Sequence, residues 1–281
     1  MFQRLSNSWE LVKASWRVLL ADKELMIFPL IAFFASILVL ITFAVPTVLA
    51  GVLDSAVTDG NVGVFSYVIA FLFYAVMYFV TIFFNTALVG AAMIRLEGGD
   101  PTVRDGLRIA TSKLGNIFGY AVIAATVGTI LRAISERSGA LGQFVVSLIG
   151  FVWNIATFLV VPVLVVENVG PLDAVKRSAN LLKQTWGEQI AGNLSVGFIF
   201  GLITFGVILL GIPVIILAVM SGSVALMVTA VAVIILLIMA ISLVSSTLSG
   251  IYTAAVYRFA TTGDTGAYFD ADMVKGAFKL K

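Results

Sequence analysis

The sequence predicts an all-α fold. It is a polytopic transmembrane helix bundle of six spans, with a short amphipathic cytoplasmic helix at the membrane interface before spans one, three and five. Three observations predict it. Of 281 residues, 60% are hydrophobic and only 11% are charged, against roughly a quarter charged in a soluble domain. Such a chain cannot cover a water-facing surface. The apolar residues gather in runs long enough to cross ~30 Å of hydrocarbon, which takes about 20 residues of helix. The charges fall between those runs and are sorted by sign.

The first element is amphipathic. Leu5, Trp9, Val12, Trp16 and Leu19 recur at spacings of three and four, which places them on one helix face. Arg4, Lys13 and Arg17 lie opposite. The first span follows at about Leu25 to Leu53, with Pro46 near its outer end. Its apolar run exceeds the ~7–15 residues of a signal-peptide core, so a retained signal-anchor helix is expected. The second span covers about Val64 to Ile94 and carries Asn85 and Thr86 in its cytoplasmic half.

Asp100-Pro101 opens the next helix, and Asp105 lies in its first turns, where a negative charge meets unpaired N–H groups. Val103, Leu107, Ala110, Leu114 and Ile117 form its apolar face, with Arg104 and Arg108 opposite. The third span runs from Ile117 to Leu131, reaching about residue 134, with a short core of Ala, Gly and Thr. The fourth covers Phe144 to Val166, with Asn154 near its middle, Thr157 close by and Pro162 towards its cytoplasmic end. After the turn at Gly170-Pro171 comes the third amphipathic helix. Its apolar residues are Leu172, Val175, Ala179, Leu182 and Trp186, and its basic residues Lys176, Arg177 and Lys183.

The fifth span runs from about Ile190 to Met220. Gly192, Gly197, Gly201, Gly206 and Gly211 give it one slim side that invites a close neighbour, and Pro213 interrupts its hydrogen-bond ladder. The sixth covers Val224 to Val256. The tail, 257–281, keeps Tyr268, Phe269, Met273, Val274 and Phe278 among its charges, so it is expected to fold back on the protein or the lipid surface. All of 1–281 reads as one integral membrane domain.

Fifteen of the 17 basic residues lie before the first span, between spans two and three, between four and five, or after six. Arg132 and Arg137 alone lie on the other side. The positive-inside rule puts both termini and the two long loops in the cytoplasm. The amphipathic helices then have two homes. They lie in the membrane plane, with basic residues towards anionic lipid headgroups, or they pack beneath the bundle. The span exits AAMIRLEGGD (Ala91 to Asp100) and AAVYRFATTGD (Ala254 to Asp264) resemble each other. In each, an arginine precedes a Gly-Asp turn.

Cysteine and histidine are absent, which excludes disulfides, thiol chemistry and most zinc sites. No HExxH, GxxxxGK[ST] or GxGxxG occurs, and no cofactor is expected. The basic residues are spread over membrane-flanking loops, which argues against nucleic acid. Asn85, Asn154 and Thr157 are the candidate polar residues inside the bundle, either bonded between helices or lining a ligand path. No charge lies near a span centre, which argues against proton pumping. The first functional reading is a non-enzymatic scaffold or partner subunit. The alternative is a transporter, channel or lipid-moving protein with a polar groove near Asn154 and Asn85. A membrane enzyme is third. Expected partners are membrane lipids with anionic headgroups, met by Arg4, Lys13, Arg17, Arg104, Arg108, Lys176, Arg177 and Lys183, and a membrane-protein partner.

Three stretches carry a resemblance: SWELVKASWRVLLADKELMIFPL, VVPVLVVENVGPLDAVKRSANLLKQTWGEQIAGN and YTAAVYRFATTGDTGAYFDADMVKGAFK. The chain resembles the bacterial and archaeal integral membrane proteins of DUF6159. That resemblance implies a six-span protein of the prokaryotic inner membrane and brings no catalytic residues. More remotely, the layout is similar to the membrane domains attached to some glycerophosphodiester phosphodiesterases, without their catalytic barrel.

Overall fold

Hydrocarbon offers backbone N–H and C=O groups no partner, so apolar runs of this length fold as helices that satisfy those groups internally. The computed structural model describes residues 2–49, 64–186, 196–270 and 274. Six of its helical segments are long and apolar enough to cross a membrane: Lys23–Pro46, Val68–Leu96, Leu114–Arg137, Ala140–Val166, Ile199–Met220 and Val224–Thr262. They fall on the six expected runs. The sixth extends six residues beyond its expected end, into the arginine-bearing exit.

The elements in order are α1 (Phe2–Ala21), a 3-10 turn (Lys23–Met26), α2 (Ile27–Leu49), α3 (Val64–Leu96), α4 (Val103–Ser112) and α5 (Leu114–Arg137). They continue with α6 (Ala140–Ala156), α7 (Val160–Val166), α8 (Pro171–Trp186), α9 (Val196–Met220) and α10 (Val224–Thr262). They divide into two compact units. The first holds Met1–Met26, Ala92–Asp100 and Trp186–Lys281; the second holds Ile27–Ala91 and Pro101–Thr185.

In the first unit α9 and α10 pack along one another and α1 lies against both. The face α1 buries overlaps the one its large apolar residues mark, through Val12 and Leu19, but is turned away from the tryptophans. Leu11, Val12, Ala14, Ser15, Val18 and Leu19 are buried, while Trp9 and Trp16 remain 48% and 41% exposed. The small side chains of Ala14 and Ser15 let the helix come close, which an indole at that position would prevent. Ser221-Gly222-Ser223 turns α9 into α10: Gly222 has φ +71°, and the Ser223 side chain accepts from the Leu226 N–H as an N-cap.

In the second unit the same displacement recurs. In α4 the buried residues are Gly106 and Ala110, and Leu114 just after it is exposed. A Cβ on Gly106 would stand 2.4 Å from the Phe28 ring and 2.7 Å from the Ala87 carbonyl oxygen, so only glycine permits this approach. In α8 the buried line is Ala174, Ser178, Leu181 and Leu182, while Leu172 is 61% exposed. The Trp186 and Arg4 side chains, the first external loop, Gly192 and the tail residues Met273 and Phe278 lie outside the described residues.

The prolines act differently from one another. α2 and α9 continue through Pro46 and Pro213. The fourth span is interrupted at Thr157–Leu159, between α6 and α7. Pro162 has no N–H for the Phe158 carbonyl, and its ring crowds that carbonyl. The Leu159 N–H, left without a helical partner, donates to Ser178 Oγ at 3.0 Å. The expected slim side of the fifth span is a packing surface only in part. A Cβ on Gly211 would meet Ile234 at 2.9 Å, whereas one on Gly201 or Gly206 would enter open space.

Candidate functional site: a groove in the first unit

The open space around α9 has a definite form. A cavity of about 850 Å³ lies between α1 and the paired helices α9 and α10. Phe200 and Ile203 of α9 and Ala240, Ile241, Val244 and Leu248 of α10 form its apolar wall. Trp9, Val12 and Trp16 of α1 face them, with Glu10, Lys13 and Arg17 at the polar edge. Lys13 Nζ is 2.9 Å from Glu10 Oε1. Arg17 donates to the Tyr268 carbonyl oxygen at 3.3 Å. Phe200 also borders a second cavity of about 490 Å³, lined by Gly197, Gly201 and Thr204 of α9 and by Ser242, Ser245 and Ser246 of α10.

Beside the groove, the two similar span exits meet. Arg95 donates to the Gly99 carbonyl and to Asp100 Oδ1, at 3.2 and 3.1 Å, and to the Ala21 carbonyl at 3.3 Å. Arg258 pairs with Asp264 at 2.7 Å and reaches Glu97 at 3.9 Å. Gly98 and Gly263 supply the positive φ that each turn needs. A Cβ on Gly266 would stand 2.5 Å from the Leu96 carbonyl oxygen, so the exits touch backbone to backbone. The Arg258 hydrogen bonds, then the Gly266 N–H, hold Asp264 below the ordinary carboxylate range. Asp22 is buried and its Oδ2 has no hydrogen-bond partner. Desolvation raises its pKa, against the bond from the Glu24 N–H and the charge of Arg95.

The other predicted residues are dispersed. Asn154 is exposed and Asn85 is half-buried. Thr157, just after α6, donates to the Trp153 carbonyl at 2.8 Å and shares a hydrogen bond with the Tyr120 hydroxyl of α5. Neither asparagine lines the two cavities. Among the basic residues, Arg108 pairs with Asp105 at 3.0 Å, Lys176 with Asp173 at 3.1 Å and Arg177 with Glu167 at 2.9 Å. Arg104 and Lys183 are exposed. The expectation about the tail is met in its described part: Phe269 and Val274 are buried. Sequence reading missed the groove itself.

Six apolar helices of spanning length, with hydrophobic residues covering their outer faces, define a helical multi-pass membrane protein. Residues 64–268 match the model of DUF6159, a family of unknown function, and the chain belongs to that family. Neither a curated protein nor a solved structure matches it. Both exit motifs and the α7–α8 stretch fall within the match, whereas α1 and the first span lie outside it.

Proposed function

We propose that this is a non-enzymatic protein of the prokaryotic inner membrane, a scaffold or partner subunit, with both termini and the helices α1, α4 and α8 on the cytoplasmic side. The observation that carries this reading is the double character of those helices. Each turns a seam of small residues to the protein: Ala14 and Ser15, Gly106 and Ala110, Ala174 and Ser178. Large apolar residues beside the seam remain outward, among them Trp16, Leu114 and Leu172, next to exposed basic residues. A helix that packs by its small side keeps its large side for the interface, where indole and leucine meet acyl chains and Lys or Arg meets anionic headgroups.

The test is lipid analysis of the purified protein. Reversing Arg104, Lys176 and Lys183 to glutamate should lower the co-purified anionic phospholipid several-fold without lowering yield. Unchanged lipid would sink the headgroup contact. A stoichiometric protein recovered with the wild type would identify the partner of a scaffold. The groove of the first unit favours a second reading, lipid handling. It moves that reading away from Asn154 and Asn85, which are outside the groove.

A further inference from the structure

The groove beside α1 is apolar along its walls and has one charged end. In a bilayer, filling an apolar groove with an acyl chain brings little hydrophobic gain, because the chain leaves an equally apolar surrounding. Selection must therefore come from the headgroup. At the polar edge Lys13 is already balanced by Glu10. Arg17 is exposed, and the partner the structure gives it is a neutral carbonyl, that of Tyr268. A guanidinium forms paired, charge-assisted bonds to phosphate that are shorter and stronger than a bond to a peptide carbonyl. Trp9 and Trp16 flank the same edge, half exposed, at the level where indoles sit among headgroups.

We propose that this groove binds one anionic phospholipid, its acyl chain along Phe200, Ile203, Ala240 and Val244 and its phosphate on Arg17. The proposal rests on the reading that α1 lies at the inner leaflet. An apolar helix of a second copy would fill the walls equally well but would leave Arg17 its neutral partner. Charge complementarity therefore selects the lipid.

The experiment uses the full chain in nanodiscs of phosphatidylcholine with a minor share of phosphatidylglycerol, either lipid carrying a photoreactive group in mid-chain. With phosphatidylglycerol as probe, crosslinks are expected in the wild type on peptides of α9 and α10 around Ile203 and Val244. Val244→Trp should suppress them by filling the groove. Arg17→Gln should lower phosphatidylglycerol labelling there about tenfold and phosphatidylcholine labelling by less, because the choline cation offsets the attraction of its phosphate for the guanidinium. Wild-type crosslinks confined to outward residues such as Leu209, Leu210 and Leu217 would overturn the proposal. So would equal labelling of wild type and Arg17→Gln, or recovery of a second copy crosslinked across the groove. Since the wild-type pattern is read directly, a variant that fails to fold does not decide the outcome. A Leu20→Cys chain separates the proposal from the reading beneath it. If a membrane-impermeant reagent reaches that cysteine from outside intact cells, the inner-leaflet reading fails even where groove crosslinks stand.

Discussion

Thr102 and Asp105 cap α4 reciprocally. The Asp105 N–H donates to the Thr102 hydroxyl oxygen, and the Asp105 carboxylate accepts from the Thr102 N–H and hydroxyl. Removing the hydroxyl in Thr102→Ala should cost about 1 kcal/mol, read as a lower Tm in detergent. The bonds from the Thr102 hydroxyl, then its N–H, hold the Asp105 carboxyl below the usual 3.8. The stability it adds is therefore complete above that ordinary value and is lost as pH falls through the lowered one. Asp22 runs the other way. Burial raises its pKa above 3.8, so the folded state favours the protonated form. Its burial penalty is full above the raised value, shrinks as pH falls from there, and is gone below the ordinary one. Asp22→Asn keeps an acceptor for the Glu24 N–H and buries no charge. Its Tm should exceed that of wild type at neutral pH, with the gap closing as pH drops towards 3.8. A lower Tm for Asp22→Asn at neutral pH would mean that Arg95's attraction outweighs desolvation.

At the scale of elements, small residues decide what packs. The sequence marks helix faces by large apolar side chains, and periodicity marks α1, α4 and α8 as helices by that means. It could not tell that Trp16, Leu114 and Leu172 stay outward, because Ala, Gly and Ser carry little hydrophobic signal although they set how closely backbones approach. Two glycines test this in one unit. A Cβ on Gly106 would overlap the Phe28 ring and the Ala87 carbonyl, whereas one on Gly115 would meet nothing within 4 Å. Gly106→Ala should therefore destabilise by about 1–3 kcal/mol. Gly115→Ala should stabilise by about 0.4–1 kcal/mol. Equal melting shifts would refute the close approach of α4. The interruption of the fourth span offers a second test. Ser178→Ala orphans the buried Leu159 N–H at a cost of about 1–3 kcal/mol. Pro162→Ala lets that N–H return to an i−4 carbonyl, so the double variant should lose less than Ser178→Ala alone. Additive losses would show that Pro162 is not what holds the helix open. Pro162 was legible in the sequence. The Ser178 bond was not, because it joins residues 19 apart through a hydroxyl that reads locally as an ordinary helix position.

For the molecule as a whole, span number was the most legible feature, since it rests on sums over many residues. Six charge-free runs withstand an error at any single position, and the expected sorting of the basic residues between them is a sum of the same kind. The division into two units was not legible. α1 reads as the lead-in to the first span, yet it belongs with Trp186–Lys281, through contacts between residues more than 180 positions apart. The arginine exits, by contrast, announced themselves as a repeat. The third exit lacks its own arginine, and Glu167 there takes Arg177 from the following helix.

Every functional reading above depends on sidedness, and the chain is well suited to measuring it because it has no cysteine. Each introduced thiol would report alone. Ser112→Cys and Asn180→Cys stand on exposed positions of the basic side, and Glu136→Cys and Ser221→Cys on exposed positions of the other. On intact cells an impermeant maleimide should label Glu136→Cys and Ser221→Cys, and label Ser112→Cys and Asn180→Cys only once the membrane is opened. The choice of side follows from charge alone, because Lys and Arg resist export while neutral and acidic loops pass. If labelling is reversed, the basic helices face away from the anionic inner leaflet, and both the headgroup contact and the Arg17 site lose their partner. A mixed pattern, with one hairpin inverted, would fix the error to a span. The third is the weakest, with its short core of Ala, Gly and Thr.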